Sequence, residues 1–268
     1  MEGYLALTFA RRAALAVALV LAAASAAPAR AADAPVVAAA SDLKFALEEI
    51  AARFRAEGGR DLRLTFGSSG NFARQIEQGA PFEIFLSADE EYVFRLADKG
   101  LMSDRGQLYA IGRIALVASH GSPLALDAGL AGLRDALAHD RIKRFAIANP
   151  EHAPYGRAAE QALRHAGLWD RLRPTLVLGE NVSQAAQFAT SSSAQGGIVA
   201  YSLALAPAVS QVARHVLLPA EWHLPLNQRM ALAKNAGATA KAFYAYLGGK
   251  PARDIFIRYG FTLPGESS

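Results

Sequence analysis

The chain has 268 residues, a formal net charge of +4 and no cysteine. This length is enough for one large domain or for two of ordinary size, each with its own core. The small charge and the lack of any lysine and arginine cluster argue against nucleic-acid binding. The absence of cysteine argues against a structural zinc site and suits an oxidising compartment.

The start of the chain has the pattern of an export signal. Arg11 and Arg12 precede an apolar run from Ala13 to Ala24, and small residues continue to Ala31. A positive stretch, an apolar stretch and an A-x-A motif are the parts of a signal peptide, and the apolar run is shorter than the roughly 20 residues of a membrane span. We predict a signal peptide over residues 1–31, which leaves a mature net charge of about +2.

After the signal, short apolar runs alternate with amphipathic segments. Nine runs are predicted to be strands: 36–40, 62–66, 83–87, 114–119, 145–148, 175–178, 197–200, 216–218 and 230–234. The clearest helical spacing between them is that of Leu43, Leu47, Ile50 and Phe54. This alternation predicts an α/β protein with mostly parallel sheets covered by helices on both faces. Because ligands of such sheets bind where strands end and helices begin, the strand-to-helix junctions are the candidate sites.

Two of these junctions place serines at the predicted start of a helix. Ser41 and Asp42 follow the first strand, and Ser68 and Ser69 follow the second strand between two glycines. These residues are suited to an ordinary helix cap. The same position also offers unpaired backbone N–H groups and the positive end of a helix dipole, which suit an anion.

Two later junctions have similar features. Pro154 favours a helix start that places Tyr155 just inside the helix, while Asn181 and Gln184 form a near capping box around Val182. If all four helix starts face one cleft, they form an anion site made of neutral donors.

Catalytic and metal-binding patterns are weak. The spacing of the histidines fits no metal site, and no G-x-S-x-G, Walker A or G-x-G-x-x-G motif is present. Ser87 and Glu90 fit a capping box, so the carboxylates there are interpreted as structural. We expect no enzyme activity, no cofactor and no direct metal-ion ligand. A secreted hydrolase with Ser69 as its nucleophile remains the alternative of a different class.

Taken together, the junctions resemble those of the periplasmic molybdate-binding proteins of ABC transporters. The similar segments follow in order along the mature chain: AAASDLKFALEEIAARF, FGSSGNFARQIEQGAPFEIFLSADEEYVFRL, IANPEHAPYGRAAEQALRHAGLWD, GENVSQAAQF, GGIVAYSLA, KAFYAYL and IFIRYGF. The resemblance implies a two-lobed periplasmic binding protein, type II-like, whose lobes are joined by hinge crossings. Lobe one would comprise 32–111 plus 218–268, and lobe two 112–217.

The same resemblance implies the function. The protein would bind molybdate, and tungstate with it, in the cleft between the lobes and deliver it to an inner-membrane ABC permease with its ATPase. It would be a periplasmic monomer without a cofactor or nucleic-acid partner. Proteins of the same architecture that bind another oxyanion, such as sulfate or phosphate, remain an alternative.

The resemblance also implies which residues hold the oxyanion. By motif position they are Ser41, the Asp42 amide, Ser69, Tyr155 and the Val182 amide. The Asp42 side chain is expected to turn away, because a carboxylate repels a dianion. Ser68 is an alternative to its neighbour Ser69, since adjacent residues at a helix start can each serve.

One position departs from the family pattern. Many members carry a tyrosine directly after G-I-V, whereas this chain has Ala200 there and Tyr201 one place later. Because alternate strand residues face opposite sides, the shift predicts that the Tyr201 hydroxyl leaves the site. We expect the Tyr155 hydroxyl to replace it.

Overall fold

The computed structural model describes residues 34–191 and 193–265. The predicted signal peptide, residues 1–31, lies outside the described residues. None of the helices in the described part of the chain is long and apolar enough to cross a membrane.

The described residues form strands and helices in alternation. The strands are β1 Val36–Ala40, β2 Arg63–Gly67, β3 Ile84–Ser87, β4 Gln107–Gly112, β5 Ile114–Ser119, β6 Phe145–Ala148, β7 Leu176–Gly179, β8 Gly196–Ala200, β9 Ala213–Leu217 and β10 Leu226–Leu232. The α-helices are α1 Lys44–Ala56, α2 Ser69–Glu77, α3 Glu90–Asp98, α4 Ala131–Ala138, α5 Pro154–His165, α6 Trp169–Leu172, α7 Val182–Thr190, α8 Tyr201–Leu205, α9 Pro207–Ser210, α10 Ala238–Leu247 and α11 Lys250–Arg258. Short 3-10 segments cover Ser41–Leu43, Arg173–Thr175 and Ala220–Trp222.

Each of two sheets has five strands, in the orders β2-β1-β3-β10-β4 and β7-β6-β8-β5-β9. We call the first sheet with its helices lobe one and the second lobe two. The chain crosses between them at Arg113, which separates β4 from β5, and returns through 218–225, between β9 and β10. The predicted two-lobed α/β fold class is confirmed. The exact boundaries given above stay a proposal.

The sheets are mixed rather than mostly parallel. In lobe one, β1 pairs parallel with β2 and β3, while β10 pairs antiparallel with β3 and β4. In lobe two, β6 pairs parallel with β7 and β8, while β5 pairs antiparallel with β8 and β9. The antiparallel pairs come from the strands next to the crossings, which lack the helical connection that a parallel pair requires.

Parallel pairing places the candidate junctions side by side. Ala40 lies opposite Gly67 at the ends of β1 and β2, and Ala148 lies opposite Gly179 at the ends of β6 and β7. The four following helical segments therefore begin at two neighbouring strand ends in each lobe. β1 is buried almost throughout, so its end is held firmly by the core.

Helices cover both faces of the lobe-one sheet. Leu47, Ile50 and Phe243 form a core on one face, and Phe72 and Phe85 belong to a core on the other. A third core fills lobe two. These cores stabilise the strands and helices that flank the four junctions.

Candidate functional site

The four junctions meet at a cavity between the lobes. It is small and is lined by Ala40, Ser41, Asp42, Gly67, Ser68, Ser69, Ala88, Ala153, Pro154, Tyr155 and Val182. Six of the seven predicted site residues are in this lining, with Tyr201 the exception. Within the described part of the chain, the lining includes no lysine, arginine or histidine.

Ser41 joins the two lobes at this cavity. Its side chain is buried, and its Oγ accepts a hydrogen bond from the backbone N–H of Ser183 at 3.2 Å. The Ser183 hydroxyl in turn donates to the Ser41 carbonyl at 2.8 Å. A hydroxyl can accept and donate at once, so the Ser41 proton is still available to a further acceptor.

Ser69 has the same arrangement within lobe one. Its fully buried Oγ accepts the backbone N–H of Ala88 at 2.9 Å, which leaves its hydroxyl proton for another acceptor. Ser68 differs, because its Oγ lies 3.0 Å from His152 Nδ1 across the lobe boundary. The histidine therefore contacts Ser68 and not Ser69, which gives no support to Ser69 as an activated nucleophile.

Backbone N–H groups at the helix starts add donors. The first N–H groups of a helix have no partner within it, and Tyr155 stands in the first turn of α5, which no side chain caps. In α7 the Asn181 side chain accepts the N–H of Gln184 at 3.1 Å. The cap thus leaves the Val182 N–H at the cavity unused.

The Asp42 carboxylate belongs to a buried network beside the cavity. Its Oδ2 accepts the Tyr155 hydroxyl at 3.0 Å and Gln228 Nε2 at 2.6 Å. Gln228 Nε2 also donates to the Tyr155 oxygen at 3.0 Å, and Tyr109 donates to Gln228 Oε1 at 2.7 Å. Burial raises the pKa of Asp42 to about 6, although the bonds from Gln228 and Tyr155 oppose the rise.

This network also engages the Tyr155 hydroxyl, which the sequence predicts to donate to the anion. A phenol has one proton to donate, and here that proton goes to Asp42. Burial and the charge of Asp42 raise the pKa of Tyr155 well above its ordinary value, so the proton stays in place. In this structure the hydroxyl therefore bonds within the protein, while Tyr155 remains part of the cavity lining.

Tyr201 lies away from the cavity. It is the first residue of α8, and its ring packs edge-on against His215, with ring centroids 5.7 Å apart. The ring also lies beside Gly260. Ala200, at the end of β8, is fully buried.

Other contacts hold the lobes together around the cavity. Arg157 donates to Asp89 at 2.5 Å and to Tyr92 at 3.1 Å. Asp89 also caps α3 by accepting the N–H of Glu91, so the cap lies two residues after Ser87, where the sequence predicts it. The Ser202 hydroxyl donates to the Asp42 carbonyl at 2.8 Å.

Sequence reasoning missed Gln228, Tyr109 and Ser183. Gln228 is fully buried in β10, yet a single glutamine in an apolar run carries no pattern that marks it as functional. Ser183 directly follows Val182, a predicted ligand at a helix start, and only this position could have indicated that Ser183 belongs to the site. Among the described residues, no group of three acidic or histidine side chains could hold a metal ion.

Residues 35–262 match the model of a family described as bacterial extracellular solute-binding protein. The chain belongs to this family. This solute-binding protein is 35% identical to the molybdate-binding protein ModA of Escherichia coli K12 over 226 residues, which cover 84% of the chain and 87% of the relative. The resemblance recognised in the sequence is thereby confirmed, as is the expectation that the protein is not an enzyme.

Solved structures agree with this assignment. The periplasmic molybdate-binding protein of Azotobacter vinelandii superposes on the solute-binding protein with a TM-score of 0.78 and 31% identity, covering 87% of this chain and all of that one. The sulfate-binding protein SubI of Mycobacterium tuberculosis H37Rv has a TM-score of 0.69 at 15% identity, covering 87% of each chain. The second likeness concerns the fold alone.

Proposed function

We propose that this protein binds molybdate in the cavity between its lobes, in the periplasm, as the solute-binding component of an ABC transporter. The observation that carries the proposal is the pair of buried serine hydroxyls, Ser41 and Ser69, each held by a backbone N–H and each with a proton left to donate. They stand at helix starts, where an anion is favoured. The relatives from E. coli and A. vinelandii are both named for molybdate.

In the proposed complex five groups donate to the oxyanion. They are the hydroxyls of Ser41 and Ser69 and the backbone N–H groups of Asp42, Tyr155 and Val182. Tyr155 keeps its place among the predicted ligands through its amide. Ser68 is not included, because its hydroxyl contacts His152. Tyr201 is not included, because its ring lies elsewhere.

The energetics allow useful affinity without a cation. A hydrogen bond to a charged group contributes about 1.5 to 3 kcal/mol, so five give a gross value of roughly 8 to 15 kcal/mol. Ordering the ligand and closing the lobes use part of this. Micromolar to nanomolar binding corresponds to about 8 to 12 kcal/mol, so the upper part of the gross range leaves room for such affinity after these costs.

Selectivity over sulfate must come from size. Both anions are tetrahedral dianions, so neutral donors cannot separate them by charge. A smaller anion in a cage built for a larger one leaves donors without partners, and that costs affinity. Tungstate, which is nearly the same size as molybdate, is proposed to bind with it.

The working cycle follows from the two-lobed fold. The lobes close on the anion by a hinge motion, and the closed protein, a monomer, delivers the anion to a membrane permease driven by its ATPase. The hinge is proposed to lie at the two crossings, with lobe boundaries as predicted from the sequence.

Calorimetric titration of the mature protein tests the ligand. We expect molybdate and tungstate to bind at least about 100-fold more tightly than sulfate and phosphate, since each unsatisfied donor costs about 1 to 3 kcal/mol. Equal affinity for sulfate would contradict the molybdate assignment.

Two serine variants test the site in the same assay. Ser69→Ala should weaken molybdate binding by about 10-fold or more, because it removes a donor to a charged group. Ser68→Ala, one residue away, should have the smaller effect, and the exposed Ser210→Ala serves as the neutral control. A larger loss from Ser68→Ala than from Ser69→Ala would show that the wrong serine has been assigned.

A further inference from the structure

A buried hydrogen-bond network beside the cavity connects the two lobes. Tyr155 of lobe two donates to Asp42 of lobe one at 3.0 Å, and Gln228 contacts both at 2.6 and 3.0 Å. The Tyr109 hydroxyl donates to Gln228 Oε1 at 2.7 Å. All four residues are at most 5% exposed, so water does not compete for these bonds.

The network ends at a hinge crossing. Gly112 is the last residue of β4, one residue before the chain enters lobe two. A Cβ atom at position 112 would overlap the Tyr155 hydroxyl oxygen and come within 2.9 Å of Gln228 Nε2. The hydroxyl therefore packs directly on the backbone of the crossing, and only glycine leaves it this room.

Some bonds of the network lie within lobe one, and others connect the two lobes. Asp42, Gln228 and Tyr109 all belong to lobe one, so their mutual bonds do not depend on how the lobes stand. Tyr155 comes from α5 of lobe two, so its bonds to Asp42 and Gln228 cross the lobe boundary and require the lobes to be in contact. Asp42 and Tyr155 line the cavity, whereas Gly112 and Gln228 do not, so the side-chain network extends from the cavity wall towards the crossing.

We propose that the Tyr155 hydroxyl, which is bonded to Asp42 and Gln228 and packs on Gly112, is a latch that stabilises the closed form without touching the ligand itself. Tyr155 is a positioning residue in this role: closing the latch brings the helix start of α5 to the cavity. Apparent affinity is the intrinsic affinity multiplied by the fraction of protein that is closed. A change in the latch therefore changes the apparent affinity for every anion by the same factor. This consequence rests on the function proposed above.

Lobe separation without ligand tests the latch directly. The chain has no native cysteine, so cysteines placed at the exposed Gln75 of lobe one and Gln187 of lobe two can carry spin labels for distance measurement. In the ligand-free protein, Tyr155→Phe should move the distance distribution towards longer values. Tyr201→Phe, whose ring lies outside the network, is the matched control and should leave it unchanged.

The affinity of the same variants gives the second readout. Tyr155→Phe should weaken molybdate and tungstate binding by one common factor of about 10-fold, because a bond to a charged acceptor is lost. Gly112→Ala should open the lobes in the same way, and adding Tyr155→Phe to it should have little further effect. Saturating molybdate should restore the short distance in each variant.

Two outcomes separate the latch from the ligand assignment. An unchanged ligand-free distribution in Tyr155→Phe, or a loss that differs between molybdate and tungstate, overturns the latch. If molybdate does not bind the unsubstituted protein in calorimetry while Tyr155→Phe still lengthens the ligand-free distance, the ligand assignment fails and the latch stands.

Discussion

At the scale of single residues, Asp42 has the least ordinary environment. Its carboxylate is 1% exposed, and one of its oxygens, Oδ1, has no hydrogen-bond partner among the described residues. Burial disfavours the charged form, which raises the pKa of Asp42 to about 6. Placing such a group beside an anion site is tolerable because a protonated or well-bonded carboxyl repels the anion less.

The raised pKa of Asp42 predicts how stability depends on pH. The folded state holds the Asp42 proton more tightly than the unfolded state, so this contribution is present below about pH 4 and is lost as the pH rises through about 6. Asp42→Asn removes the dependence. At about 1.4 kcal/mol per pKa unit, the variant should gain about 3 kcal/mol relative to the unsubstituted protein between pH 4 and pH 8.

Urea unfolding of both proteins at several pH values checks this prediction. Because all other titrating groups are shared, the difference between the two free energies of unfolding isolates Asp42. A difference that stays constant over this pH range would mean that the pKa of Asp42 is not raised in the folded protein.

At the scale of elements, the site depends on how helices begin. The Asn181 side chain accepts the N–H of Gln184 and so fixes the first turn of α7. That turn presents Val182 to the cavity and Ser183 to Ser41. A helix cap here therefore contributes both to stability and to the geometry of the donors.

Removing this cap should affect both properties. Asn181→Ala should lower the free energy of unfolding by about 1 kcal/mol and weaken molybdate binding, because the Val182 N–H is no longer held in position. Asn235→Ala, at an exposed turn, is the control and should change neither. Thermal unfolding and calorimetry on the same samples measure the two effects, and an intact affinity would show that the cap does not position the donor.

Much of the element pattern could be predicted because it follows from local sequence. β1, β5 and β6 begin and end where their apolar runs predict. β4 was missed, since a single residue separates it from β5 and no turn residues divide the two. β10 begins four residues before its predicted start, because its first half carries the polar residues Asn227 and Gln228. A polar side chain buried by tertiary contacts leaves no trace in the hydropathy pattern.

At the scale of the whole molecule, the lobes meet through many small polar contacts. Ser183 bonds to Ser41, Gly70 bonds to the His152 carbonyl, and Arg157 pairs with Asp89. Polar contacts of this kind suit lobes that must separate again. The strand-to-helix junctions marked candidate sites in the sequence, and the resemblance to the family implied which residues there face the ligand. The sequence could not predict the partner of the Tyr155 hydroxyl, because Asp42 and Gln228 lie far from Tyr155 in the sequence and contact it only in the folded protein.

The central claim is that neutral donors from both lobes hold molybdate in one cavity, and a crystal structure of the complex tests it most directly. Anomalous scattering from molybdenum locates the anion independently of the surrounding density. The account predicts a single peak between the hydroxyls of Ser41 and Ser69, with the Tyr155 hydroxyl still bonded to Asp42. A peak outside this cavity, or an anion held by lysine or arginine side chains, would contradict it.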